Sequence, residues 1–178
     1  MNIRVRIATK HDRNAIRRIH SLAFPQQESA LIADLADRLL DEESDPASVT
    51  LVAVIGDEIV GHVAFSPVYA SADSRWLGYI LAPLAVAPTH HGHGIGSQLV
   101  RTGIERLAEQ GTRLFLVYGD PAYYGRFGFR AEAASGLLPP YDLEYPSGWL
   151  ALPLERAAIG KQPVQLTCVA PLQDPALW

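Results

Sequence analysis

The sequence predicts a mixed α/β (α+β) fold, a mixed sheet with helices on its faces, and three observations lead there. Short alternating or apolar runs of strand type are interleaved with stretches whose apolar residues recur at helical spacing. The runs follow the order β, α, α, three strands, then α, β, α, β. A chain of 178 residues, 48% hydrophobic, has the length of one domain with a real core.

Ile3, Val5 and Ile7 alternate with polar neighbours and predict the first strand. Thr9 and Asp12 form a capping-box pattern, with Asp in the place usual for Glu. Behind it, Ile16, Ile19 and Ala23 share one helical face, and Pro25 closes that helix. Ser29 is the candidate cap of a second helix with Leu31, Ile32, Leu35 and Leu39 inward. Residues 51–55 and 59–65 flank Gly56-Asp57-Glu58 and predict a hairpin. Residues 75–86 read as a long apolar strand, with an irregularity expected at Pro83 because proline cannot donate to a ladder. The next helix puts Leu99, Val100, Ile104, Leu107 and Ala108 on one face and ends at Gly111. A short buried strand at 114–117, a turn or short helix at 121–126 and a strand from Phe129 complete the core. The proline- and aromatic-rich tail is expected to add strands at 149–152 and 164–169. No internal repeat or linker interrupts the chain, so 1–178 reads as a single domain with a core of about 3–133 and a C-terminal extension of 134–178.

Composition excludes several classes. A formal net charge of −4 argues against a general nucleic-acid surface. No apolar run approaches the ~20 residues needed to span a bilayer, and the N-terminus lacks a signal-type apolar block. The single cysteine, Cys168, excludes an internal disulfide and fits a cytoplasmic location. Within its apolar run it reads as core rather than as a nucleophile.

The chemistry concentrates in residues 84–97. An apolar strand ends at Pro88, Gly92, Gly94 and Gly96 alternate with other residues, and an amphipathic helix follows at once. Such a turn leaves backbone N–H groups bare at a helix N-terminus, where they hold phosphate or diphosphate. Glycine is needed because a Cβ blocks close approach of the oxygens. The segment is not a Walker loop, since no lysine is near, nor a dinucleotide fingerprint, since the third glycine position is Leu99. A plain glycine-rich turn is the bland alternative. His90, His91 and His93 lack an accompanying Cys or carboxylate, so no metal site is expected.

Leu84-Ala85-Val86-Ala87-Pro88 followed by His91-Gly92-His93-Gly94-Ile95-Gly96 resembles the acetyl-coenzyme A signature of the GCN5-related N-acetyltransferase (GNAT) family. A second block, Gly119-Asp120-Pro121-Ala122-Tyr123-Tyr124-Gly125-Arg126-Phe127-Gly128-Phe129, is similar to a run in the YhbS-like branch of predicted acetyltransferases. The first block departs from the family pattern at His91, where Gln or Arg is usual, and at His93. The resemblance implies a mostly antiparallel central sheet with splayed central strands. It also implies acetyl-CoA as co-substrate, with no metal, and acetyl transfer to a primary amine in a ternary complex.

Carried over residue by residue, the resemblance puts the extended pantetheine arm along Leu84, Ala85 and Val86 and the diphosphate on His91, Gly92, His93, Gly94, Ile95, Gly96 and Ser97. It makes Tyr124 the general acid beside the sulfur, with Tyr123 packing or lining the cofactor site. A phenol of ordinary pKa about 10 is protonated at neutral pH and suits that role. Residues 76–86 contain no Asp or Glu, so no carboxylate base comes from that strand. Glu28, near the acceptor site implied by the resemblance, is the candidate base. Asp120 reads as a helix cap and His62 as a hydrogen-bonded core histidine. The acceptor is a small-molecule or protein amine, and the chain is expected to be a monomer or homodimer. A non-catalytic coenzyme A-binding sensor or interaction domain is the alternative function.

Overall fold

The structure is a computed structural model that describes residues 2–178. In chain order it runs β1 (Ile3–Ile7), α1 (Arg13–Ala23), α2 (Gln26–Asp41), β2 (Val49–Ile55), β3 (Glu58–Ala70), β4 (Trp76–Val86), α3 (Ile95–Glu109), β5 (Leu114–Tyr118), α4 (Pro121–Tyr124), β6 (Leu137–Leu138), β7 (Trp149–Pro153) and β8 (Val164–Cys168). The strands hydrogen-bond in the order β1-β2-β3-β4-β5-β7, with β8 pairing β3 and β6. Pairs β1–β2, β2–β3, β3–β8 and β5–β7 are antiparallel, while β4–β5 and β6–β8 are parallel. The sheet is thus mixed and mostly antiparallel, as expected. The parallel β4–β5 ladder pairs Tyr79–Leu81 with Phe115–Val117, and β4 continues beyond it to Val86. Among the described residues no helix is long and apolar enough to cross a membrane.

The chain divides into two compact units. The first holds residues 2–43, 48–65 and 83–106. Here β2 and β3 meet in a tight hairpin, with Ile55 opposite Glu58 and Gly56 at φ 60° in the first turn position. The loop is two residues, one shorter than the sequence pattern implied. Thr9 and Asp12 make the expected box: the Thr9 amide donates to Asp12 Oδ2 at 2.7 Å, and Arg6 donates to both carboxylate oxygens at 2.7 and 2.9 Å. α1 buries Ile16, Ile19 and His20. Ile16 and Ala36 pack with Val52 and Val54 of β2. Arg13 binds Asp37 and Asp41, and Arg17 binds Asp37, tying α1 to α2.

The expected cap at Ser29 is corrected: the cap position is Pro25, four residues earlier, and α2 begins at Gln26. The Pro25 carbonyl accepts from both the Glu28 and Ser29 amides at 2.9 Å, so the chain turns into helix directly after the proline. Its buried face is Ala33, Leu35, Ala36 and Leu39, leaving Leu31 and Ile32 only half-buried. α3 lies close against β3, where Leu99 and Ile95 side chains occupy the space a Cβ on Gly61 would need.

The second unit holds residues 44–47, 66–82 and 107–178. β5 is its fully buried strand from Leu114 to Val117, paired with β7. The C-terminal extension is anchored by indoles: Trp149 Nε1 donates to the Leu137 carbonyl at 2.6 Å and Trp178 Nε1 to the Leu172 carbonyl at 3.0 Å. The strand expected from Phe129 is also corrected. Gly128, at φ 97°, turns the chain, only an isolated bridge joins Arg130 to Ala151, and a short turn at Glu132–Ala134 follows. Phe129 is instead a buried anchor. Cys168 is buried in β8, and desolvation pushes its thiol up to about 12, so it is inert core.

Candidate active site

In the first unit the segment of interest is continuous from Leu84 to Ser97. Ala85 faces the interior, while Leu84 and Val86 are half-buried. A short 3₁₀ turn at Pro88–His90 leads into the glycines. Gly92 and Gly94 have φ of 79° and 75°, the left-handed region that side chains disfavour. A Cβ on either would meet nothing within 4 Å, so what these glycines supply is backbone freedom and open approach, not packing. The first helical bond of α3 runs from the Gln98 amide to the Gly94 carbonyl at 2.9 Å. The amides of Ile95, Gly96 and Ser97 therefore belong to the first turn and have no intrahelical acceptor. Residues 91–94 are exposed. Ile95 is buried and Gly96 and Ser97 are half-buried behind the exposed turn. First-turn N–H groups at the positive end of a 15-residue helix, reached across that turn, are a place for an anion.

The histidines brace this turn. His91 Nε2 donates to the Val86 carbonyl at 2.9 Å, and His93 Nδ1 lies 3.3 Å from the His90 carbonyl, so both imidazoles fold back on the main chain. The His91 bond also occupies the Val86 carbonyl, leaving fewer acceptors at the end of β4 for an extended ligand. Among the described residues no group of three His, Cys, Asp or Glu converges as metal ligands.

In the second unit, Tyr124 ends α4. Asp120 caps that helix as expected, its carboxylate accepting from the Ala122 amide at 2.9 Å. Tyr124 packs edge-on to Tyr123 at 5.0 Å and to Phe129 at 5.9 Å. The ring lies against Gly119: an added Cβ there would sit 2.5 Å from Tyr124 Cε2. The residue is half-buried, and desolvation, followed by Tyr123 and Asp120, raises the phenol above its ordinary value. The hydroxyl is thus protonated at any working pH. Tyr123 is partly covered by the Arg126 guanidinium, 4.5 Å above its ring.

Glu28 stands in the first turn of α2 with its side chain exposed. Its position there is the ordinary one for a carboxylate at a helix start. His62 is buried on β3 and hydrogen-bonded to His20, 2.8 Å away, as a core histidine should be. Sequence reasoning missed His20 and Gly119. His20 looks like any polar residue on a helix until its partner, 42 positions away, is known. Gly119 was visible only as part of a motif, not as the seat of the Tyr124 ring.

A family model described as acetyltransferase (GNAT) family matches residues 13–129. The chain is 35% identical to the uncharacterized N-acetyltransferase YjhQ of Escherichia coli (strain K12) over 173 residues, 95% of this chain and 91% of that protein. In structure it is similar to the N-acetyltransferase YhbS of Escherichia coli in complex with CoA, with a TM-score of 0.84 and 28% identity, covering 98% of this chain and 93% of the other. A GNAT family acetyltransferase from Brucella melitensis in complex with acetyl-CoA matches with a TM-score of 0.68 and 26% identity, over 97% of this chain and 99% of the other.

Proposed function

The chain belongs to the acetyltransferase (GNAT) family, and from that premise we propose that it moves an acetyl group from acetyl-CoA to a primary amine by direct transfer in a ternary complex. The observation that carries this reading is the exposed turn at 91–94, built on two positive-φ glycines and leading straight into the first-turn amides of α3. Those amides and the α3 dipole hold the diphosphate. Leu84, Ala85 and Val86 receive the pantetheine arm in the manner of an added strand. Acetyl-CoA supplies the activated acyl group. The amine attacks as its neutral form, the C–N bond forms, the C–S bond breaks, and the Tyr124 hydroxyl gives its proton to the departing sulfur. Glu28, beside the junction of α1 and α2, binds the incoming amine and takes its proton directly or through water. The acceptor lies at that junction.

Release of free thiol from acetyl-CoA in the presence of a panel of small amines and an N-terminal peptide amine tests this. Amine-dependent release supports the transferase. Thermal stabilisation by acetyl-CoA with no release for any amine supports the coenzyme A-binding sensor instead. No stabilisation by acetyl-CoA at all removes both.

A further inference from the structure

His20 and His62 are buried titratable groups for which acetyl transfer has no use. His20 closes the buried face of α1 one turn before the α1–α2 junction, and His62 sits on β3 opposite Val52 of β2. Both are 0% exposed. His20 Nε2 and His62 Nδ1 lie 2.8 Å apart, with the rings at 82° to each other. A neutral imidazole carries one N–H and one lone pair. Across this contact one ring donates and the other accepts, so each ring has one nitrogen left over. If His20 donates, His20 Nδ1 keeps a lone pair and His62 Nε2 keeps an N–H; if His62 donates, the two are exchanged. In either tautomer His20 Nδ1 and His62 Nε2 are buried without a partner among the described residues. Such atoms are rare in a protein core.

The surroundings give an added proton little shelter. Asp12 attracts charge on His62, but it is already held by two hydrogen bonds from Arg6. Val52, opposite on β2, is apolar. Arg13 and Arg17 of α1 and Asp37 and Asp41 of α2 are spent on one another. The pair also sets the junction. His20 stacks on Phe24 at 5.9 Å, and its carbonyl accepts the Phe24 amide at 3.3 Å, where the chain leaves α1 for Pro25 and α2.

We propose that the His20–His62 pair is a positioning device: while neutral it holds the α1–α2 junction in place, and uptake of a proton releases that junction, so that acceptor binding is lost in acid while the glycine turn keeps its hold on the thioester. The consequence for the acceptor rests on assigning the junction to the amine, whereas the release does not. Burial holds His20 down at about 3 and His62 well below its ordinary value. Once the junction opens, both rings regain an ordinary value near 6.5. The open form then binds protons that the closed form refuses, so opening grows as pH falls, by up to about tenfold per pH unit for each ring.

Hydrogen exchange on the full chain, with intrinsic rates corrected, tests the release between pH 7.5 and 5.5. Protection of residues 18–28 is expected to fall at least about tenfold more than that of β5 in the wild type. In the double variant His20→Leu/His62→Leu, which removes both polar partners together, that excess is expected to vanish. The acceptor KM is expected to climb in acid more steeply for the wild type than for the double variant, which controls for protonation of the amine itself, with the acetyl-CoA KM steady in both. Should the double variant not fold, ring-nitrogen NMR of the wild type replaces it. Two neutral rings at pH 5.5 in the closed form are expected, and a charged ring there overturns the proposal. It is equally overturned if residues 18–28 track β5 at every pH, or if the double variant keeps the acid loss. Loss of protection with no excess rise in acceptor KM overturns the positioning role and takes the amine away from the junction, yet leaves acetyl transfer itself intact.

Discussion

The glycine turn of the first unit and the tyrosine of α4 in the second are built on opposite plans. On the proposed function the turn recognises with main chain: its donors are amides, its two histidines fold back on the backbone, and a Cβ on Gly92 or Gly94 would meet nothing within 4 Å. On the same reading the α4 site works with one side chain, whose ring is seated on Gly119. A backbone site tolerates changes in neighbouring side chains but not in the residues that set φ. A side-chain site is sensitive to the group itself and to whatever seats it.

The largest effect should fall on the tyrosine. Tyr124→Phe is expected to lower kcat by about 10²-fold or more, the usual scale for losing a positioned acid, with acetyl-CoA affinity nearly unchanged. Gly119→Ala should act in the same direction through the ring it displaces, although it leaves the hydroxyl in the sequence. Steady-state kinetics with calorimetric affinity reads both. If Tyr124→Phe turns over like the wild type, the side-chain plan is wrong.

For the turn the pattern reverses. Gly94→Ala places a Cβ at φ 75°, which costs about 1–2 kcal/mol, so acetyl-CoA affinity is expected to drop about tenfold while kcat at saturation changes little. His91→Ala removes one brace to the Val86 carbonyl and is expected to cost less, about 1 kcal/mol. Were His91→Ala to weaken binding more than Gly94→Ala, the site would depend on side chains after all.

Two charge changes sharpen the contrast in stability. Asp12 is held down to about 2, chiefly by its hydrogen bonds from Arg6. Its folded value is below its unfolded one, so this stabilisation is present above pH 4 and is lost as pH falls from about 4 to 2, amounting to about 2 kcal/mol. Urea unfolding at pH 7 should show Asp12→Asn destabilised and the gap closing toward pH 2.5. The exposed Arg113–Glu155 pair of the second unit should matter least, with Glu155→Ala costing about 0.5 kcal/mol or less.

The same contrast decides what could be read from the sequence. β1, the β2–β3 hairpin, α3 and the glycine turn announce themselves because local rules act on adjacent residues: alternation, turn chemistry, helical spacing and φ. The Tyr124 role came from likeness to a family, since a tyrosine beside Phe127 and Phe129 is equally well a packed ring. Ser29 misled because Pro25 starts α2 by itself. Phe129 misled because an apolar residue after Gly128 anchors the core as well as a strand would. β6, two residues long, and the His20–His62 contact exist only through pairing with distant parts of the chain, and no local pattern marks them.

The most direct measurement is an amide NMR titration of the full chain with coenzyme A. Binding through the main chain should shift the ¹⁵N–¹H signals of residues 92–97 strongly and saturably, and pantetheine alone, without the diphosphate, should leave them in place. Saturable binding of coenzyme A that leaves those six amides unmoved would contradict the account.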